Sequence, residues 1–240
     1  MRLLHFVMSV AVSVVMVGCH NHVFSPPART LPLEGVATLG RGRIGLAVEG
    51  GEHGEMMGPS VISGTARFRA GIADQVDLSA EGHLIKIEGS SAVDTHPAIY
   101  AVRLGAKYQP IEVAALTAGS GTGVSAGGSY VSPDLGFIVG YPNPYAAPFF
   151  SARAMLSIPV QPHSVDTTPA GEEPGTNVAE PRLTGGCSTA LGLRIPIPIG
   201  QKEIDGIAGS LLGAVGNTWL RDHADESLLW GWSAGGELTF

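Results

Sequence analysis

The stretch Leu228–Phe240, LLWGWSAGGELTF, decides the fold. Read backward from Phe240, one face carries Leu238, Gly236, Ala234, Trp232 and Trp230. The other carries Thr239, Glu237, Gly235 and Ser233. Side chains of a strand alternate between faces with a period of two, so this is a strand with one apolar face that ends on an aromatic residue.

The same period recurs upstream. AIYAVRLGAKY sets Tyr100, Val102, Leu104, Ala106 and Tyr108 against Arg103, Gly105 and Lys107. PFFSARAMLSI sets Phe150, Ala152, Ala154, Leu156 and Ile158 against Ser151, Arg153 and Ser157. RLTGGCSTALGLRI sets Leu183, Cys187, Leu191, Leu193 and Ile195 against Thr184, Ser188 and Arg194. GTARFRAGI and VDLSAEG read as a hairpin across IADQ. A phase slip is expected between Leu84 and Ile85, with a bulge there or a strand leaving the membrane zone. EVAALTAG, GTGVSAGGSYV and DLGFIVGY read as three weaker strands, and prolines such as Pro110, Pro133 and Pro159 as punctuation near strand ends. Residues 160–180 read as a long aperiodic loop.

Alternation alone fits a soluble sandwich or a membrane barrel. Composition separates them. Charged residues are 15% of the 240, against about 25% in soluble domains. Glycine reaches 34 residues, about double its usual ~7% share. The apolar face is rich in alanine, which would fill a soluble core thinly. A lipid-facing band needs apolarity without interlocking volume. The second face then becomes a lumen, where charges must be matched. Arg67, Arg69, Arg103 and Arg153 are placed to pair there with Glu49, Asp77 and Glu81. Tyr100, Tyr108, Tyr130, Tyr141, Tyr145, Trp219, Trp230 and Trp232 are expected near the membrane interfaces.

Ser233, Gly235, Leu238 and Phe240 resemble the C-terminal insertion signal of Gram-negative outer-membrane β-barrels. That resemblance is of architecture, covers about residues 35–240, and points to no specific family. It implies recognition of the last strand by the barrel-assembly machinery and its closure against the first. Hydrocarbon leaves no backbone group to water, so the sheet must close. The expected fold is all-β: a closed antiparallel transmembrane barrel of about 10 strands, within a range of 8 to 12.

At the other end, Arg2 precedes an apolar run from Leu3 to Val17, too short to span well and shaped like a secretory signal. Met16-Val17-Gly18-Cys19 resembles the bacterial lipobox, which implies acylation of Cys19; His20, rather than Asp, favours the outer membrane. The organisation is thus 1–18 signal peptide, 19–34 lipid-anchored flexible tether and 35–240 barrel. With Cys19 acylated, Cys187 is the sole free thiol, so no disulfide or cysteine-rich zinc site is available.

A net charge of -7 without a basic cluster argues against nucleic acid. GSGTG at 119–123 lacks the ending of a phosphate loop. Asp222, His223, Asp225 and Ser227 are sequence neighbours rather than a triad. Glu52, His53 and Glu55 lack a helical frame for a metal. No catalytic residue, metal or cofactor is therefore assigned. The expected role is a non-enzymatic outer-membrane lipoprotein that is structural, adhesive or a narrow conduit. Outer-membrane lipid is its environment, and residues 160–180 are a surface for a partner. Two alternatives compete: an outer-membrane enzyme acting on lipid, with His83 or His223 at the bilayer rim, and a soluble lipoprotein with a sandwich or lipocalin-like binding fold.

Overall fold

In the computed structural model, residues 31, 33–54, 60–88, 98–166, 168, 173, 175–176, 178–197, 207–223 and 226–240 are described. Ten long strands form the wall. They are β1 (Ile44–Gly54), β2 (Ser60–Ala73), β3 (Val76–Glu88), β4 (Ile99–Ile111), β5 (Ala114–Ser125), β6 (Gly128–Gly140) and β7 (Ala147–Pro162), then β10 (Thr184–Ile197), β11 (Ala208–Arg221) and β12 (Glu226–Thr239). The short strands β8 (Val165–Asp166) and β9 (Val178–Ala179) pair with each other between β7 and β10. Each long strand lies antiparallel to its neighbours, and β12 closes on β1 to complete the ring. At the seam Gly45 faces Thr239 and Gly54 faces Trp230. Phe240 donates its N–H to Ile44 O at 2.8 Å and accepts from Ile44 N at 3.1 Å. Phe240 thus extends the β12–β1 ladder, and every long strand has two partners.

The rim holding Ile44 and Phe240 also holds the turns at 74–75, 112–113 and 141–146 and the strand ends Ile197 and Ala208. We call it the terminal rim. The opposite rim holds the turn at 126–127 and the strand ends Gly54, Ser60, Glu88, Ile99, Pro162, Thr184, Arg221 and Glu226.

The faces decide the solvent. Outward, Val48, Val102, Leu104, Leu135, Leu191 and Val215 are each at least 60% exposed. Inward, Arg67, Arg69, Asp77, Glu81, Arg103 and Arg153 are at most 4% exposed. A soluble sandwich or lipocalin has the reverse polarity, so that alternative is overturned. Cys187 is exposed on the outward face between Ala154 and Trp219.

Several local expectations need correction. β3 runs through Leu84 and Ile85 without a slip: Leu84 is outside and Ile85 inside, and the β2–β3 register is unbroken there. The lumen simply turns apolar near the opposite rim, where Ile85, Ile99, Ala101 and Tyr130 cluster. The register shift lies instead at Gly71/Ala73. GTGVSAGGSYV is not one strand but the β5–β6 hairpin, which turns at Ala126 and Gly127. Tyr130 consequently points into the lumen, 1% exposed, rather than to an interface. Tyr100, Tyr108, Tyr141, Tyr145, Trp230 and Trp232 do face outward and are about half exposed or more. Pro133 sits within β6 rather than at its end. The β6–β7 ladder skips Ser132 and Pro133, because proline offers no N–H.

Candidate functional site

Among the described residues, the lumen gathers most of the buried charged side chains. β2 projects Arg67 and Arg69 inward two residues apart, as its period dictates. β1 and β3 flank it with Glu49 and with Asp77 and Glu81, and β12, on the far side of β1, brings Glu237. Arg67 Nη2 lies 2.8 Å from Glu49 and 3.6 Å from Glu237. Arg69 Nη1 donates to both Glu237 oxygens at 3.0 Å, and its Nη2 donates to Asp77.

A second group centres on Arg103 of β4. Its Nε and Nη2 donate to the two Asp134 oxygens at 2.6 and 2.7 Å, and Nη1 to Glu81 at 3.1 Å. Arg153 of β7 reaches Asp134 at 3.5 Å. Asp134 is on β6, so the bidentate pair spans β5. Gly119 of β5 permits this, because a Cβ there would collide with the guanidinium.

All seven residues expected in the lumen are therefore on its wall. The pairs Arg67–Glu49, Arg69–Asp77 and Arg103–Glu81 form, while Arg153 meets Asp134. Sequence reasoning missed Glu34, Lys107, Asp134, Arg194 and Glu237. Lys107, Arg194 and Glu237 shared a face with residues already placed inward, and that signal would have found them. Of the proposed insertion-signal residues, Ser233 is buried on the lumen side, and Leu238 and Phe240 are outside. Gly235 lies on the lumen side of the same strand.

The lumen also contains chain. Of the expected tether 19–34, residues 19–30 and Pro32 fall outside the described residues. Leu31, Leu33 and Glu34 are buried inside the barrel. From Gly42 back to Leu33 the chain climbs inward from the terminal rim. Gly40 and Gly42 take φ of 83° and 80° at the rim, a conformation that glycine adopts freely. The segment's carbonyls accept from the wall: Leu33 O from Arg67 at 3.1 Å, Gly35 O from Lys107 at 3.2 Å, and Ala37 O from Lys107 at 2.7 Å and Arg69 at 3.2 Å. Leu39 N donates to Asp77 at 3.1 Å. Glu34 lies 3.2 Å from Lys107. Leu31, Leu33 and Val36 pack with Ala115, Ile138, Phe149, Ala190, Leu212 and Ala214. Two lumen cavities measure about 10 Å³ each, room for about one water apiece.

The remaining candidates separate. His83 faces the lumen, bonded to Thr65 at 2.9 Å and beside Glu81 at 3.2 Å, not the bilayer rim. His53 is inside and Glu52 outside, so they cannot share an ion; Glu55 lies outside the described residues. Among the described residues no group of three or more acidic, histidine or cysteine side chains is placed to hold a metal. The 119–123 glycine run is strand. His223 is exposed in the β11–β12 connection, and Asp225 lies outside the described residues.

No protein-family model matches the sequence, and no curated protein matches it. Among solved structures the chain is similar to neisserial surface protein A, at 12% identity over 82% of this chain and 96% of that one, TM-score 0.38. It is similar to the N-terminal β-barrel domain of OprF from Pseudomonas aeruginosa, at 10% identity over 84% and 99%, TM-score 0.33. It is also similar to Ail, the attachment invasion locus protein of Yersinia pestis, at 9% identity over 83% and 99%, TM-score 0.31. At these values the likeness carries no inference about function.

Proposed function

We propose that this chain is a non-enzymatic outer-membrane β-barrel lipoprotein, anchored through Cys19, whose resting role is that of a closed scaffold. The observation that carries the reading is the inverted polarity of a sealed ring: alkyl side chains outside, ion pairs inside. Only hydrocarbon makes that arrangement favourable, since in water the outward Leu and Val side chains would be an unburied core. The occupied lumen favours a structural or adhesive role over a free conduit. The segment between β7 and β10 supplies the contact surface. Its small hairpin is tied to the β5–β6 turn by His163 N donating to Gly127 O at 2.8 Å, and Pro181 is buried against Gly127.

The test is extraction and gel mobility. Membranes from cells making the full chain should release it only with detergent, and unheated samples should migrate differently from boiled ones. Release by salt or carbonate alone would overturn the membrane reading. Lipid labelling lost on Cys19→Ala would support the anchor; unchanged labelling and processing would remove it. Purified protein that turned over phospholipid would replace the scaffold reading with an enzymatic one.

A further inference from the structure

The inner segment is held by the kind of groups that would hold a bound anion. Among the described lumen side chains the wall contributes six cations: Arg67, Arg69, Arg103, Lys107, Arg153 and Arg194. It contributes five carboxylates: Glu49, Asp77, Glu81, Asp134 and Glu237. Glu34, the sixth carboxylate, comes from the segment and not from the wall. It sits 3.2 Å from Lys107, 3.9 Å from Arg67 and 4.0 Å from Arg69. The same three cations take the carbonyls of Leu33, Gly35 and Ala37. The segment thus presents one carboxylate and three carbonyl oxygens to three cations that also pair with Glu49, Asp77 and Glu237 of the wall, with its leucines and valine seated in an apolar patch beside them.

We propose that Arg67, Arg69 and Lys107 form an anion-binding site that residues 33–39 occupy as a built-in ligand, and that displacing the segment converts the lumen into an anion-selective conduit. The proposal rests on the membrane-barrel reading above. Each of the three keeps a wall carboxylate, but without Glu34 the described wall cations outnumber the wall carboxylates six to five, so a vacated site would favour a carboxylate or phosphate group from solution. The apolar seat keeps the segment in place, and Glu34 makes it specific.

Full-length protein in planar lipid bilayers under a KCl gradient tests this. Wild type should be largely shut. Leu33→Asp puts a charge into the apolar seat and should open the barrel, with the reversal potential displaced to the chloride side. Adding Lys107→Gln to that variant should move the reversal potential toward potassium. Glu34→Gln keeps volume but removes the resident charge; it should open more often than wild type, and inorganic phosphate should block its current in a concentration-dependent way. A Leu33→Asp protein that keeps heat-modifiable mobility yet stays silent, or conducts cations, overturns the proposal. If Leu33→Asp loses that mobility, Glu34→Gln decides alone, and opening no more frequent than wild type refutes the proposal. Absence of heat-modifiable mobility in wild type would instead sink the membrane reading.

Discussion

Replacing Arg103 by Met gives the most direct measure of how dry the lumen is. The Arg103 side chain is 2% exposed, and its partners Asp134 and Glu81 are 5% and 0% exposed. It makes two short bonds to Asp134 and one to Glu81. Methionine fills much of the stem's volume but leaves both carboxylates short of a cation. Breaking a buried pair on one side costs about 3–5 kcal/mol. Asp134 keeps Arg153 at 3.5 Å, so the low end, about 3 kcal/mol, is expected. With a urea slope of about 2–3 kcal/mol/M, the midpoint should fall by about 1–1.5 M. Trp219, Trp230 and Trp232 all lie on the outward faces of β11 and β12, so their fluorescence in lipid vesicles follows the loss of the barrel. Adding Asp134→Asn and Glu81→Gln should recover part of the loss, because the stranded charges go with their partner. A single-variant loss below about 1 kcal/mol is the value for solvent-exposed pairs. It would refute the reasoning, since it would mean that water already solvates these groups.

Leu104→Lys, at the middle of β4 and 70% exposed, should cost about 2–4 kcal/mol in vesicles, whereas Glu112→Lys in the terminal-rim turn should change little; equal effects would mean that Leu104 does not face hydrocarbon. Gly119→Ala should destabilise by about 1–3 kcal/mol through its clash with Arg103 and with Leu104 O at 2.7 Å, and by less in an Arg103→Met background; strictly additive losses would remove Arg103 from the explanation. Asp166 accepts from Thr168 N at 3.0 Å and Gly175 N at 2.8 Å, and hydrogen bonds from Thr168, the hydroxyl first, hold its carboxyl below the usual carboxylate range. Its contribution is therefore present above the ordinary carboxylate pKa and lost only as pH falls through the lowered value. Asp166→Ala should quicken proteolysis between β7 and β10 at neutral pH without moving the unfolding midpoint, and unchanged cleavage would show that this carboxylate does not order the loop.

The wall was legible because its signal is carried by side chains. On β4, β7, β10 and β12 each residue's face follows from parity alone, and the structure keeps that parity from Tyr100 to Tyr108 and from Trp230 to Phe240. Parity fails where turn residues are mistaken for strand. Tyr130 faces the lumen because the chain folds at Ala126 and Gly127 within SAGGS, where an unbroken strand would turn it outward. The inner segment was illegible for a different reason. Its recognition runs through the carbonyls of Leu33, Gly35 and Ala37, and a main-chain oxygen leaves no trace in a pattern of side chains. Asp134 escaped because its partner is two strands away, reached only over the missing side chain of Gly119. Neither dependence has a fixed spacing in sequence.

The seclusion of the lumen pairs bears on how the molecule meets ionic strength. Mobile ions screen charges over about 8 Å at physiological salt, but only where they can approach. The Arg67–Glu49 and Arg69–Glu237 pairs are walled off on every side, so sodium chloride should leave their attraction intact. The Arg221–Glu226 pair at the opposite rim, 3.3 Å apart with side chains 60% and 50% exposed, has no such protection. Brine would therefore loosen the lip of the barrel long before its interior.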